Sequence, residues 1–358
     1  MTAREPTDSS APNRMSAYSA SDLRRWLTSG PLVTRYNLHL PGASRLHGAA
    51  SQWRTHAAGE RNAEFWLERF AAVSRALRGR DAAVPSFEYP YAPRPRFGHS
   101  MAQHPEIGAL IARGRDKYVS VLRSFAAHRA ALDAIPIDGR DRRSTSEPCW
   151  DNGYFEGLDA ISLYCLLQLE RPRRLLEIGS GYSTKFARAS IDASGIATRI
   201  VSVDPTPRSD VRHAAHDWIT RPFEEAADEV TRQVEPGDFV LLDGSHRAFA
   251  NSDVTVFFLE VLPRLPAGVL VGIHDIFLPH DYPESWNERY YNEQYVLAAY
   301  LLGGARGVEI FLPNYYILAD SELASVARDV AGSTRESTLS LGGQLWRGGA
   351  LFWMRTCR

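Results

Sequence analysis

The sequence predicts an α/β protein: a mainly parallel sheet covered by helices on both faces, with an N-terminal α-helical appendage. Three observations carry this expectation. Downstream of about residue 150, short apolar runs alternate with stretches of helical period, the pattern of strands joined by helical crossovers. Four of those runs end on acidic or glycine-bearing turns, at Gly179, Asp204, Asp243 and His274-Asp275. Upstream of about residue 140, apolar residues recur at helical spacing.

Taken in order, residues 1–15 are polar and read as a disordered N-terminus. A short helix follows, with Ser21 as N-cap and Gly30 as its stop. Trp66, Phe70, Val73 and Leu77 mark a second helix from Glu60 to Leu77. Pro85, Pro90, Pro93 and Pro95 make the next stretch an irregular connector. A third helical stretch runs from Pro105 to Leu132, with Ile107, Leu110, Ile111, Tyr118, Val121, Leu122, Phe125 and Leu132 on its apolar face and Gly114 weakening it. Residues 16–140 thus form the appendage, a lid or a dimerisation surface, and the polar segment Ile137–Pro148 is a linker. The main domain is expected over 148–358.

Within it, Arg174–Ile178 is a strand that opens onto glycines, and Tyr182–Ala193 is a helix. Ile200–Val203, Phe239–Leu242 and Val269–Ile273 are further strands. Val254–Leu265 and Tyr295–Leu302 are helices. Val308–Leu312, Tyr315–Leu318 and Leu351–Met354 complete the strands.

Composition narrows the function. Hydrophobic residues make up 44% of the 358 and charged residues 23%, ordinary for a globular protein. With 41 basic and 42 acidic residues, no strong field favours nucleic acid or an anionic membrane. No uninterrupted apolar run reaches the roughly 18 residues of a membrane span. Met1–Pro12 lacks the apolar run of a signal peptide. Cys149, Cys165 and Cys357 have no metal-ligand spacing, and Cys165 sits in an apolar stretch as a buried thiol. The expected compartment is the reducing cytoplasm.

The central motif is Glu177-Ile178-Gly179-Ser180-Gly181-Tyr182-Ser183-Thr184. Two glycines allow a sharp turn and close backbone approach to a ligand. A dinucleotide fingerprint would place a third glycine where Thr184 stands. Asp204, at the end of the next strand, stands where a ribose-binding carboxylate belongs. Downstream come Asp243-Gly244-Ser245-His246, then His274-Asp275-Ile276-Phe277-Leu278-Pro279, and the stretches Asp281-Tyr282-Pro283 and Tyr291-Asn292-Glu293-Gln294-Tyr295.

The glycine loop resembles the acidic-x-Gly-x-Gly loop of class I S-adenosylmethionine (SAM) dependent methyltransferases, and the downstream motifs resemble a bacterial branch of them. The resemblance spans about Trp150 to Tyr300. It implies a Rossmann-like fold, SAM as cofactor, and a SAM site built from Glu177, Gly179, Gly181, Tyr182, Ser183, Asp204 and Asp243. The acidic residue at the head of the loop typically lies near the ligand's amino group. Two chemical readings stand open at the next two strand ends. In one, Asp243 and Asp275 hold a divalent metal through oxygen, as in Mg-dependent catechol-type relatives, although His274 or Ile276 stands where those have a second oxygen ligand. In the other, His246 or His274, with Asp243, forms the catalytic group, a histidine being the base with a pKa in the useful range. Tyr182 is placed to contact a sulfonium. Tyr154, Tyr282, Trp286 and Tyr291 are expected to line an acceptor pocket.

The expected function is methyl transfer from SAM to an oxygen or nitrogen of a small molecule, in secondary metabolism, with no nucleic-acid or membrane partner and with a homo-oligomer as the expected assembly. Two alternatives are a SAM-consuming enzyme that uses the aminocarboxypropyl arm, and a non-catalytic SAM-binding partner protein.

Overall fold

The computed structural model describes residues 93–98, 101–137, 147–207, 211–331 and 349–357. The chain divides into two compact units, Met1–Arg94 with Asn287–Arg289, and Pro95–Trp286 with Tyr290–Arg358. Nearly all described residues belong to the second. The helices expected at 21–30 and 60–77, the disordered start and most of the 137–148 linker lie outside the described residues.

The second unit opens with helices α1 (Pro105–Ala112), α2 (Arg115–Ser124) and α3 (Arg129–Asp133), the last two joined by a 3-10 turn at Phe125–His128. The single stretch expected from 105 to 132 is therefore broken, first at Arg113–Gly114. Helix α4 (Gly157–Glu170) leads into β1 (Arg174–Ile178), α5 (Tyr182–Ser194), β2 (Arg199–Val203), β3 (Asp217–Ile219), α6 (Phe223–Thr231) and β4 (Phe239–Leu242). Next come α7 (Asp253–Val256), which runs on as a π turn, and β5 (Leu270–Ile273). The unit closes with α8 (Glu293–Leu302), β6 (Val308–Pro313), α9 (Asn314–Ala319), α10 (Ser321–Ala331) and β7 (Phe352–Thr356).

These strands form one seven-stranded sheet in the order β3-β2-β1-β4-β5-β7-β6. The first five are parallel, and β7 runs antiparallel between β5 and β6. From β1 the order runs outward in opposite directions, so right-handed crossovers put α5 and α7 on opposite faces. The reversal lies between β1 and β4, where the carboxyl ends of the strands leave a crevice.

The expected sheet is present, with four departures. Tyr315–Leu318, read as a strand, is the body of α9. Tyr315 to Leu318 are all buried, so no alternation of polar residues distinguishes a short helix from a strand. Helix α4 escaped the sequence reading for the same reason, since eleven consecutive residues from Gly157 to Leu167 are buried. The short β3 and the helices α6 and α10 also went unread. Finally, α1–α3 are not an appendage. Ile107, Ile111, Tyr118, Leu122, Phe125 and Leu132 share one apolar cluster with the strands, and Arg115 pairs with Asp320 and Glu322 on the α10 side.

Within the core, the Asp159 carboxylate joins three elements. It accepts hydrogen bonds from the Ala350 and Leu351 amides, both at 2.7 Å, and from Asn314 Nδ2 at 2.8 Å. This ties α4 to the entry of β7 and to the start of α9. As expected, Cys165 is wholly buried, which pushes its thiol up. No helix among the described residues is long and apolar enough to cross a membrane.

A deletion ending near residue 140 should therefore give insoluble protein rather than a SAM-binding core. The six side chains removed with α1–α3 contribute about 1.5–3 kcal/mol each, against a total stability of about 5–15 kcal/mol. A soluble, cooperatively melting fragment in calorimetry would contradict this packing.

Candidate active site

A cavity of about 550 Å³ opens at the carboxyl ends of β1, β2 and β4. Its wall includes Gly179, Gly181, Tyr182, Asp204 and Asp243, all expected cofactor residues, together with Tyr154. Phe155, Thr206, Phe223, Glu224 and Asp253 also line it and carried no sequence signal of their own.

Two residues expected beside the cofactor lie behind the wall. Glu177 is fully buried, and its carboxylate accepts hydrogen bonds from the hydroxyls of Ser183, Thr184 and Ser202, each at 2.6 Å. Burial pushes Glu177 up to about 7 against those three donors. Glu177 and Ser183 therefore fix the shape of the glycine loop instead of facing the cavity.

The loop is braced from the other side by Asp204. Its carboxylate accepts from Ser180 N at 2.9 Å, Ser180 Oγ at 3.1 Å and Thr206 N at 2.8 Å. The two glycines differ in kind. Gly179 has φ +82°, and a Cβ built there would lie 1.9 Å from the Asp243 carbonyl oxygen. Gly181 is extended, and a Cβ there meets nothing within 4 Å, so it borders open space on the cavity side. Tyr182 carries the Lys185 ammonium over its ring at 4.8 Å and stacks with Tyr154 at 6.2 Å.

The carboxyl ends of β4 and β5 bring the expected chemical residues together. His246 Nε2 lies 3.5 Å from Asp243 Oδ1 and 3.4 Å from Asp275 Oδ2. His274 Nδ1 lies 3.2 Å from Asp243 Oδ1 and 3.6 Å from Asp275 Oδ1. Each imidazole is backed by a further buried carboxylate: Glu293 Oε2 lies 2.9 Å from His246 Nδ1, and Asp159 Oδ2 lies 3.3 Å from His274 Nε2. His246 and Asp275 both adopt φ +58°, a costly conformation for residues with a Cβ and one found where structure serves a site.

The protonation states follow from this arrangement. Burial works to lower both imidazoles, but the surrounding carboxylates outweigh it and hold His246 and His274 well above the ordinary histidine range. Desolvation works to raise Asp243, but His274 and His246 hold it well below the usual carboxylate range. Burial pushes Glu293 up to about 7 against its pairing with His246. The surrounding carboxylates thus favour the protonated form of both imidazoles. Asp243 and Asp275, the expected metal ligands, lie beside both imidazoles, and among the described residues no three His, Cys, Asp or Glu side chains are arranged to hold a metal ion.

The aromatic loop packs largely on itself. Tyr282 and Trp286 are buried in an edge-to-face cluster with Phe277 and Tyr315, and Tyr291 packs against it. None of Tyr282, Trp286 and Tyr291 lines the cofactor cavity. Only Tyr154, 55% exposed, stands at its mouth.

Residues 176–276, which carry the glycine loop, Asp204, Asp243, His246, His274 and Asp275, match the family model of a methyltransferase domain. These residues form a methyltransferase domain. Comparison with curated proteins gives no match. Among solved structures, similar chains include an S-adenosylhomocysteine-bound methyltransferase from Podospora anserina, 15% identical over 56% of this chain and 79% of its own, with a TM-score of 0.34. An O-methyltransferase from Bacillus cereus in complex with S-adenosylhomocysteine is 18% identical over 57% and 90%, with a TM-score of 0.27. TomG, an O-methyltransferase from Streptomyces achromogenes in complex with SAM, is 17% identical over 59% and 90%, also at 0.27.

Substitutions at the two glycines should separate fold from binding. Gly179→Ala drives a methyl group into the Asp243 backbone and should lower the thermal midpoint sharply. Gly181→Val should melt close to the parent while titration calorimetry with SAM shows lost affinity. Equal behaviour of the two variants would contradict this geometry.

The buried carboxyls also set a pH dependence. Glu177 and Glu293 bind protons more tightly folded than unfolded, where their ordinary value is 4.5. Their contribution to stability is therefore full below pH 4.5 and lost as pH rises to about 7. The raised imidazoles act in the same direction above pH 6.5. Thermal midpoints should fall from pH 5 to pH 8, and Glu177→Gln should flatten that slope. A rising midpoint over the interval would contradict the assignment.

Proposed function

We propose that the methyltransferase transfers the methyl group of SAM to an oxygen of a small molecule, in secondary metabolism, with Asp243 as the group that receives the acceptor's proton. The observation that carries this reading is the Asp243 carboxylate on the wall of the cofactor cavity, with His246 Nε2 at 3.5 Å and His274 Nδ1 at 3.2 Å from its Oδ1. The cavity suits SAM: Gly181 borders its open space, Asp204 keeps carboxylate lone pairs at its rim for hydroxyl groups, and the net acidic cluster at β4 and β5 complements a cation. Gly179, Gly181, Tyr182, Asp204 and Asp243 would hold the cofactor, with Tyr154 at the mouth beside the acceptor.

Bound SAM supplies a methyl group on a positively charged sulfur, so alignment is most of what the protein must add. Asp243 accepts the hydrogen bond of the acceptor hydroxyl. As the carbon–oxygen bond forms and the carbon–sulfur bond breaks, the bonding pair stays on sulfur. The acceptor's proton then becomes far more acidic than any carboxylic acid, and it passes to Asp243. A carboxylate with a depressed pKa is adequate for this task, because the proton is released only as the methyl group arrives. For a nitrogen acceptor the product proton is less acidic than a carboxylic acid, so this carboxylate favours oxygen.

Mass spectrometry of the protein incubated with SAM and a panel of hydroxylated acceptors tests the proposal. S-adenosylhomocysteine and a methylated acceptor are the expected products. Methylthioadenosine would instead mark transfer of the aminocarboxypropyl arm, and SAM binding without turnover would mark a non-catalytic partner. Asp243→Asn should lower kcat by about 100- to 1,000-fold with SAM affinity changed only a few-fold. Exhaustive chelation should leave activity intact, and its loss with rescue by added metal would restore the cation reading.

A further inference from the structure

The stretch Asn292-Glu293-Gln294 lies at the start of α8, away from the cofactor cavity wall. Its three side chains nevertheless reach both catalytic loops. Asn292 Oδ1 accepts from the Ala248 amide at 2.6 Å, and the Asn292 and Glu293 amides donate to the His246 carbonyl at 3.0 and 3.3 Å. Gln294 Oε1 accepts from the Phe277 amide at 2.9 Å, and its Nε2 donates to the His280 carbonyl at 3.3 Å. The loop after β4 and the loop after β5 are thus held by one helix turn.

Glu293 is the member with the least structural reason to be charged. It is fully buried. One carboxylate oxygen meets His246 Nδ1 at 2.9 Å, while the other, Oε1, has no hydrogen-bond partner among the described residues. A buried carboxylate with an unsatisfied oxygen is costly, and a neutral isostere is commonly as stable or more so. The ring it holds is in the left-handed conformation, with its far nitrogen aimed between Asp243 and Asp275. On the far side of the same ring lies Tyr291, centroids 4.7 Å apart, so the imidazole is fixed in plane and in charge.

We propose that Glu293 is a positioning residue for methyl transfer: through its 2.9 Å contact with His246 Nδ1 it fixes that ring from behind against Asp243, and so orients the carboxylate that faces the acceptor. This rests on the reading of Asp243 given above. Glu293 itself touches neither cofactor nor acceptor.

Glu293→Gln in the full chain tests it. The variant should keep SAM affinity in calorimetry and melt no lower than the parent at pH 8. Its kcat should fall about 100-fold, the scale of a misplaced catalytic group, with the acceptor KM little changed. In the Asp243→Asn background the same substitution should cause no further loss, because residues acting through one another are not additive. Independent of turnover, nitrogen-15 spectra of labelled histidine at pH 7.5 should show a ring protonated on both nitrogens in the parent, and a changed signal in Glu293→Gln. Unchanged kcat, losses that multiply with Asp243→Asn, unchanged histidine spectra, or a variant that unfolds would each overturn the proposal. If no acceptor is methylated by the parent, the reading of Asp243 fails on that result, and the histidine spectra and the melting point still decide whether Glu293 holds His246.

Discussion

The architecture depends on how Asp159 is satisfied. A carboxylate on a fully buried helix would be prohibitively costly alone. Here it collects two backbone amides at the entry of β7 and the Asn314 amide at the start of α9, and stands 3.3 Å from His274. Those partners come from elements far apart in sequence, so one charge fixes the helix before β1, the antiparallel strand and the chemical end of β5 in a single arrangement. The apolar cluster supplies most of the free energy of folding, but it is tolerant of small displacements. The carboxylate is not, because each lost partner leaves a buried group unpaired.

Glu177 uses the same device on a smaller scale. Three hydroxyls converge on it from α5 and β2, and the glycine loop takes its shape between this interior anchor and Asp204 outside. The site is thus framed by carboxylates that do not themselves meet the substrate. Asp159, Glu177 and Glu293 lie behind the wall, and Asp204 and Asp243 lie on it. The balance of charge between them and the two imidazoles determines which group at the wall can accept a proton.

The strand ends were legible in the sequence because a buried parallel strand is a short apolar run stopped by a residue that must face a ligand or a turn, as at Asp204, Asp243 and Asp275. The spacing also brought His246 and His274 to the same edge. Protonation was not legible, since it depends on Asp159 and Glu293, which lie 115 and 47 positions from their histidines. The packing of the Tyr282–Tyr291 loop was not legible for a related reason. Aromatic residues near a ligand edge read alike whether they face a cavity or one another, and only the edge-to-face contacts with Phe277 and Tyr315 separate the two cases. Helices α1–α3 read as separate because their apolar stripe is the same whether it meets a partner domain or this sheet.

The insertion of β7 between β5 and β6 bears on how the molecule is made. Parallel strands β1 to β5 can assemble as they leave the ribosome, each against a neighbour already present. β6 cannot, because its one neighbour in the sheet, β7, is synthesised after it. Until it arrives, two strand edges remain open and Asp159 lacks its backbone donors. Nascent chains in this interval carry the exposed edges that promote pairing between molecules.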